Sequence, residues 1–331
     1  DAGAGKAYLA LAKAYFGGDP QTLRNYDGTY AVWSAVDGKL AKRDVPRFLY
    51  QYELAEQACY DALAVDSKLA DARAMIALVS FAEMAAFDNL AAETQQVESI
   101  QGAGKALEGA RGLAASVGAG DLLRAMQMGV ELGANGAVAR IAAALPGVWD
   151  GRKLDAGNPL VEGLGDDDKV VRYASAMALA AIDPADGFAK SKEVGTVLGA
   201  AASETAVKQV LVIDTDSKNA MNVQRQLNKA GFHAVASPTG AGRLMMAQGT
   251  SAFDAVVVRN RLADITSFQV IDELARDFRT QHVKVVVMAT GGKAGAGDEF
   301  AKRDVAGYAP AGEDLVGNAK AVAAALEGVG G

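Results

Sequence analysis

Cysteine, histidine and aromatic side chains are scarce in this chain. One cysteine, Cys59, in 331 residues excludes an intrachain disulfide and any cysteine-built zinc cluster. Two histidines, His233 and His282, are too few and too far apart in sequence for a histidine metal site or an obvious catalytic triad. Aromatics are 6% of the residues while half are hydrophobic, much of that half alanine. Such a core is built by close approach of small side chains, which suits tightly stacked helices. A formal charge of -7 without clustered basic residues argues against a nucleic-acid binder. No apolar run approaches the roughly 20 residues needed to span a bilayer, and no metal or cofactor is implied. The chain opens Asp1-Ala2-Gly3 without methionine. That fits a fragment or removal of a signal peptide, and leaves the compartment open between cytoplasmic and exported.

Residues 1–95 read as helices. Ala7-Tyr8-Leu9, Leu11-Ala12 and Ala14-Tyr15-Phe16 ring a first helix that Gly17-Gly18 ends, and Asp19-Pro20 signals the start of another. Tyr26, Tyr30 and Trp33 recur at helical spacing as core candidates. Tyr52–Asp66 followed by Ser67–Met75 predicts two helices around a tight turn, with small residues Ala58, Ala62 and Ala72 where they come close. This resembles a tetratricopeptide (TPR) repeat, although Ser67 stands where the usual proline falls. Cys59 lies on the inward face, as a buried small hydrophobe.

Residues 96–205 read as a polar, Gly-interrupted connector followed by further helical pairs. Asn158–Leu179 predicts a short helix, the acidic turn Asp166-Asp167-Asp168 and a second helix. Asp166 and Asp168 are expected to cap that helix, with Val170, Ala174, Met177, Ala178 and Ala181 facing the stack. Arg172, in its first turn, is placed to bridge to a neighbouring acidic turn. The pattern resembles a HEAT-type repeat. Ala200–Thr205 is read as the join between the helical part of the chain and its C-terminal part.

Residues 206–331 alternate strands and helices. Gln209–Ile213, Phe232–Ser237, Phe253–Val258, Val283–Met288 and Val305–Ala309 read as strands. A helix with Ala220, Val223, Leu227 and Ala230 on one face follows the first, Ala241–Gln248 the second, and Phe268–Phe278 the third. This spacing predicts a doubly wound parallel sheet in the flavodoxin-like order 2-1-3-4-5. It resembles a response-regulator receiver domain. That resemblance implies acids after strand one, a phospho-acceptor aspartate after strand three, a hydroxyl after strand four and a lysine after strand five. Asp214 matches the first acid, Thr215 stands where the second belongs, and Asp216 either compensates or caps the next helix. Arg259 replaces the acceptor. The hydroxyl position falls on Ala289 or Thr290, and Tyr308-Ala309-Pro310 offers no lysine. Asp254 lies at the wrong end of its strand, and Asp264 too far beyond. Arg259 is expected either to pair with Asp214, filling the place of the metal with a fixed cation, or to point outward to a partner or an anion.

Gly102–Lys105 lacks a P-loop's remaining residues, Gly240-Ala241-Gly242 lacks a third glycine, and Gly291–Gly297 reads as a flexible loop. The fold expected is multidomain, α plus α/β: an N-terminal α-solenoid of TPR-like (1–95) and HEAT-like (96–205) helical repeats, then a five-stranded receiver-like domain (206–331). The combination resembles planctomycete-type bacterial repeat proteins with terminal receiver-like domains. That resemblance implies a non-enzymatic scaffold or assembly subunit, which binds protein partners through its repeats and forms homo-oligomers. The alternative is a regulator that binds a small ligand or a partner, without phosphate, at the C-terminal edge of the sheet.

Overall fold

The computed structural model describes residues 2–19, 22–23, 30–36, 38–88, 107, 116–184, 187–204, 207–237, 253–277, 280–281, 283–311 and 316–326. It separates into two compact units. The first holds residues 1–88, 93–166 and 170–204, the second residues 89–92, 167–169 and 205–331.

In the first unit, α1 (Ala2–Phe16) ends where Gly18 takes a positive φ of 69°. A hairpin of β1 (Ala31–Val36) and antiparallel β2 (Lys39–Asp44) follows. This corrects the all-helical reading of residues 1–95. Trp33 is a strand residue, 52% exposed, so it is not the core aromatic that helical spacing suggested. Tyr30 stacks edge-on against Tyr50 at 5.4 Å. Tyr26 and Pro20 lie outside the described residues. The β-branched and small residues of Ala31-Val32-Trp33-Ser34-Ala35-Val36 suit a pleated surface, and β-propensity prevails there over the 3.6-residue coincidence.

Helices α2 (Arg47–Val65) and α3 (Ala70–Asp88) then pack as a pair, with Ala58, Ala62 and Ala72 buried as the small-residue pattern required. α4 (Ala119–Glu131) and α5 (Asn135–Ala144) form the next pair. Close approach is enforced at Gly129, where a Cβ would sit 2.5 Å from Val138. Reciprocal ion pairs tie α3 to α4, Arg73–Asp121 at 3.2 Å and Arg124–Asp71 at 2.9 Å. The Gly-interrupted connector and Gly102–Lys105 lie almost wholly outside the described residues.

α6 (Pro159–Gly163) starts with Asn158 accepting from the Leu160 N–H, and α7 (Lys169–Ile182) follows the acidic turn. The buried face of α7 is Val171, Ala174, Ser175, Ala176, Ala178 and Leu179. Val170, Met177 and Ala181 are not on it, and Met177 is 56% exposed. The expected face is therefore corrected by a rotation of about one residue. An alanine-rich helix carries little amphipathic contrast, so the stripe containing Leu179 prevails over the one containing Met177. α8 (Ser191–Ser203) extends through residues read as a join. One core runs from Leu9 to Leu179. Among the described residues, no helix is long and apolar enough to cross a membrane.

The second unit is a five-stranded parallel sheet in the order β4-β3-β5-β6-β7, compatible with a flavodoxin-like domain. Its strands are β3 (Gln209–Ile213), β4 (His233–Ser237), β5 (Ala255–Arg259), β6 (Lys284–Ala289) and β7 (Gly307–Pro310). The period-two pleat divides their side chains between two cores. Leu211, Ile213, Val256, Val258, Val285 and Val287 meet Val270, Ile271 and Leu274 of α10 (Ser267–Arg276). Val210, Val212, Ala255, Val257, Val286 and Met288 meet Ala220, Val223 and Leu227 of α9 (Ser217–Lys229), with Val322 of α13 (Val316–Leu326). Both faces are covered, which is why the central strands β3, β5 and β6 read as apolar runs. Ala230 and Ala275 are exposed rather than on the core faces. Gly291–Gly297 is not an open loop: it carries the short helix α11 (Gly292–Ala296), and α12 (Asp298–Ala301) follows. Gly291 enters α11 at a φ of 81°, and a Cβ on Gly295 would sit 1.6 Å from the Thr290 carbonyl oxygen, so glycine is required in this tight turn. The segment read as the second helix, Ala241–Gln248, lies outside the described residues.

Candidate functional site

Parallel strands deliver the residues after their C-terminal ends to one edge of the sheet. β3 and β5 are neighbours whose other partners, β4 and β6, lie on opposite sides. The chain therefore parts between them and leaves a crevice, the usual place for a site in an open α/β sheet. A cleft of ≈ 430 Å³ opens there, lined by Asp214, Thr215 and Asp216 after β3, by Arg259, Asn260 and Arg261 at and after the end of β5, and by Thr290 and Gly295 beyond β6.

Asp214 is 2% exposed. A carboxylate so buried needs every available donor, and three are present. The Asp216 N–H donates to Oδ1 at 2.9 Å, while Asn219 Nδ2 and Arg259 Nη1, the latter at 3.2 Å, donate to Oδ2. Asp216 is the N-cap of α9, its Oδ1 accepting from the Asn219 N–H at 3.1 Å. Of the two readings open to Asp216, capping is the one its geometry serves.

Arg259 is held from both ends. Its carbonyl accepts from Ser267 Oγ at 2.6 Å, and the next residue, Asn260, donates from its N–H to the Met288 carbonyl at 2.9 Å. Thr290 lines the cleft, whereas Ala289 is the buried last residue of β6. Asp254 sits at the opposite edge of the sheet, accepting from the Gln209 N–H and from Lys208 Nζ. Lys293, on α11, places its Nζ 5.8 Å from the Tyr308 ring centroid.

In the first unit, Arg172 donates from Nη1 to the carbonyl of Asp166 in its own turn. Asp168, which groups with the second unit, is fully buried with its Oδ2 2.8 Å from His233 Nδ1. Cys59 is fully buried, and burial pushes its thiol up to about 12, far from a thiolate nucleophile. His282 lies outside the described residues. Among the described residues, no group of three or more His, Cys, Asp and Glu side chains is placed to hold a metal ion.

Sequence reasoning singled out Asp214, Asp216, Arg259 and Thr290, and the fold brings all four to this cleft. It missed Asn219, Asn260 and Arg261. Asn219 was legible in principle, in the first turn after an Asp-Thr-Asp strand end. Arg261 carried no signal beyond lying two residues past Arg259. No family model, no curated protein and no solved structure matches this chain.

Proposed function

We propose that the protein is a non-enzymatic scaffold or assembly subunit, whose second unit is a receiver-like domain unable to accept a phosphoryl group. The observation that carries this reading is the Arg259–Asp214 pair at 3.2 Å. Phosphoryl acceptance at this edge needs a carboxylate oxygen at the end of β5 to attack phosphorus, and a nearby cation to offset the charge on the transferring oxygens. A guanidinium occupies the attacking position and has no nucleophilic oxygen. Asp214 cannot substitute, because its oxygens are engaged by three donors. A divalent ion approaching Asp214 competes with a tethered cation already bonded to it. The cleft is thereby held in one electrostatic state.

A domain fixed in this way acts through its surface. The first unit complements it as an α-solenoid of TPR-like and HEAT-like repeats, a surface suited to protein partners or further copies of the chain. The consecutive packed helix pairs α2–α3 and α4–α5, each joined by a short turn, support this reading.

Incubation with acetyl phosphate and Mg²⁺, followed by intact-mass measurement, tests the silent site. The expected outcome is no phosphoryl adduct and an oligomeric mass, by light scattering, indifferent to both additives. An adduct on the second unit refutes the reading.

A further inference from the structure

We propose that the cleft beside Arg259 is a non-covalent site for a small oxyanion of the phosphate or phosphate-monoester class. The proposal rests on the reading that no group here accepts phosphate covalently, and it draws on which hydrogen-bonding capacity in the cleft is already spent. Its acceptors are largely engaged. Asp214 takes three donors, and Asp216 Oδ1 takes the Asn219 N–H.

Its donors are not. Arg261 is exposed and has no ion pair or hydrogen bond among the described residues. Arg259 commits Nη1 to Asp214, and the rest of its guanidinium fork has no other partner among the described residues. The hydroxyls of Thr215 and Thr290 line the same space without a side-chain partner among the described residues. A cleft with most acceptors engaged and surplus N–H and O–H donors is complementary to a ligand made of acceptors. Paired guanidinium N–H groups match the oxygens of phosphate.

Net charge does not drive this recognition. Arg259 offsets Asp214, and Asp216 lines the same cleft as Arg261, so attraction comes from directed donors rather than from a broad positive field. The ≈ 430 Å³ volume exceeds that of a bare phosphate and leaves room for an organic substituent.

Calorimetric titration of the full chain with inorganic phosphate, in EDTA and at constant ionic strength, tests the site. Parallel titrations use acetate and the variants Arg261→Gln and Arg276→Gln. Saturable one-to-one binding is expected for the natural chain and for Arg276→Gln, where the change is remote and exposed. Binding to Arg261→Gln should weaken about tenfold or more, the loss expected for a charge-assisted contact. Arg261→Lys, which keeps the charge but not the fork, should fall between. Circular dichroism confirms that each variant is folded. No saturable phosphate binding, equal affinity in natural chain and Arg261→Gln, or acetate binding as tightly as phosphate each overturns the inference, and the silent-receiver reading survives all three. Mg²⁺-dependent formation of a covalent phosphoryl adduct overturns both.

Discussion

Glu83 gives the sharpest test of the energetics. It lies in α3, 6% exposed, and its Oε1 has no hydrogen-bond partner among the described residues. Burial, reinforced by the neighbouring Glu53 and Glu56 of α2 and opposed by Arg43 of β2, raises its carboxyl to about 9. Native Glu83 therefore keeps its proton at neutral pH, while the unfolded chain releases it near 4.5. Between these values the native state binds the extra proton. Its contribution to stability is fully present below about 4.5 and falls by about 1.4 kcal/mol per pH unit, until it is lost near 9. At pH 7 the loss is on the order of 3 kcal/mol relative to pH 4.5, a large share of a typical folding free energy.

Glu83→Gln keeps the shape and cannot ionise, so it removes this slope. A constant offset of about 1 kcal/mol for the buried amide does not affect the comparison. Both tryptophans, Trp33 and Trp149, lie in the first unit, so their fluorescence in urea reports the unit that contains Glu83. Unfolding at pH 5, 6, 7 and 8 at constant ionic strength should show the variant gaining on the natural chain by about 1.4 kcal/mol per pH unit. Parallel pH profiles would refute the claim that Glu83 is buried as the neutral acid.

Arg259→Ala should destabilise the second unit by about 2 kcal/mol, since Asp214 keeps two of its three donors. It should also make calorimetric unfolding sensitive to Mg²⁺, which the natural chain should resist; an unresponsive variant would mean that Arg259 is not what excludes the ion. Ser175 Oγ is buried without a partner among the described residues, so Ser175→Ala should gain roughly 1 kcal/mol in urea unfolding. Gly163→Ala should lose about 2 kcal/mol or more, because its Cβ would lie 2.2 Å from that oxygen, and the double variant should recover part of the loss. Cys59 should resist alkylation in the native state and react on unfolding, as mass spectrometry can follow; rapid native labelling would contradict its burial.

Legibility differed between the two units for a physical reason. In the second, both sheet faces are covered, so the central strands had to be apolar runs, and β3 was legible to its first and last residue. In the first, alanine dominates, and alanine fits a buried helix face as readily as an exposed one. The buried stripe of α7 and the hairpin at Ala31–Asp44 were misread because their patterns contain few large apolar residues to decide between periods. Gly291–Gly297 was misread because glycine density signals a loop, whereas here Gly291 opens a tight helical turn and Gly295 permits its close contact.

The sequence alone determined the absence of a carboxylate at the C-terminal end of β5, since a residue's chemistry does not depend on where it is placed. It also determined the alternation of strands and helices, through runs whose burial on both faces leaves no room for polar residues. Tertiary structure decided which groups meet. Asp214, Asn219 and Arg259 converge because parallel strands end at one edge, and the ion-paired residues lie 45 positions apart in sequence. Only folding settles which donors in the cleft are spent and which remain, because hydrogen bonding depends on distance and direction, and neither is written in residue order.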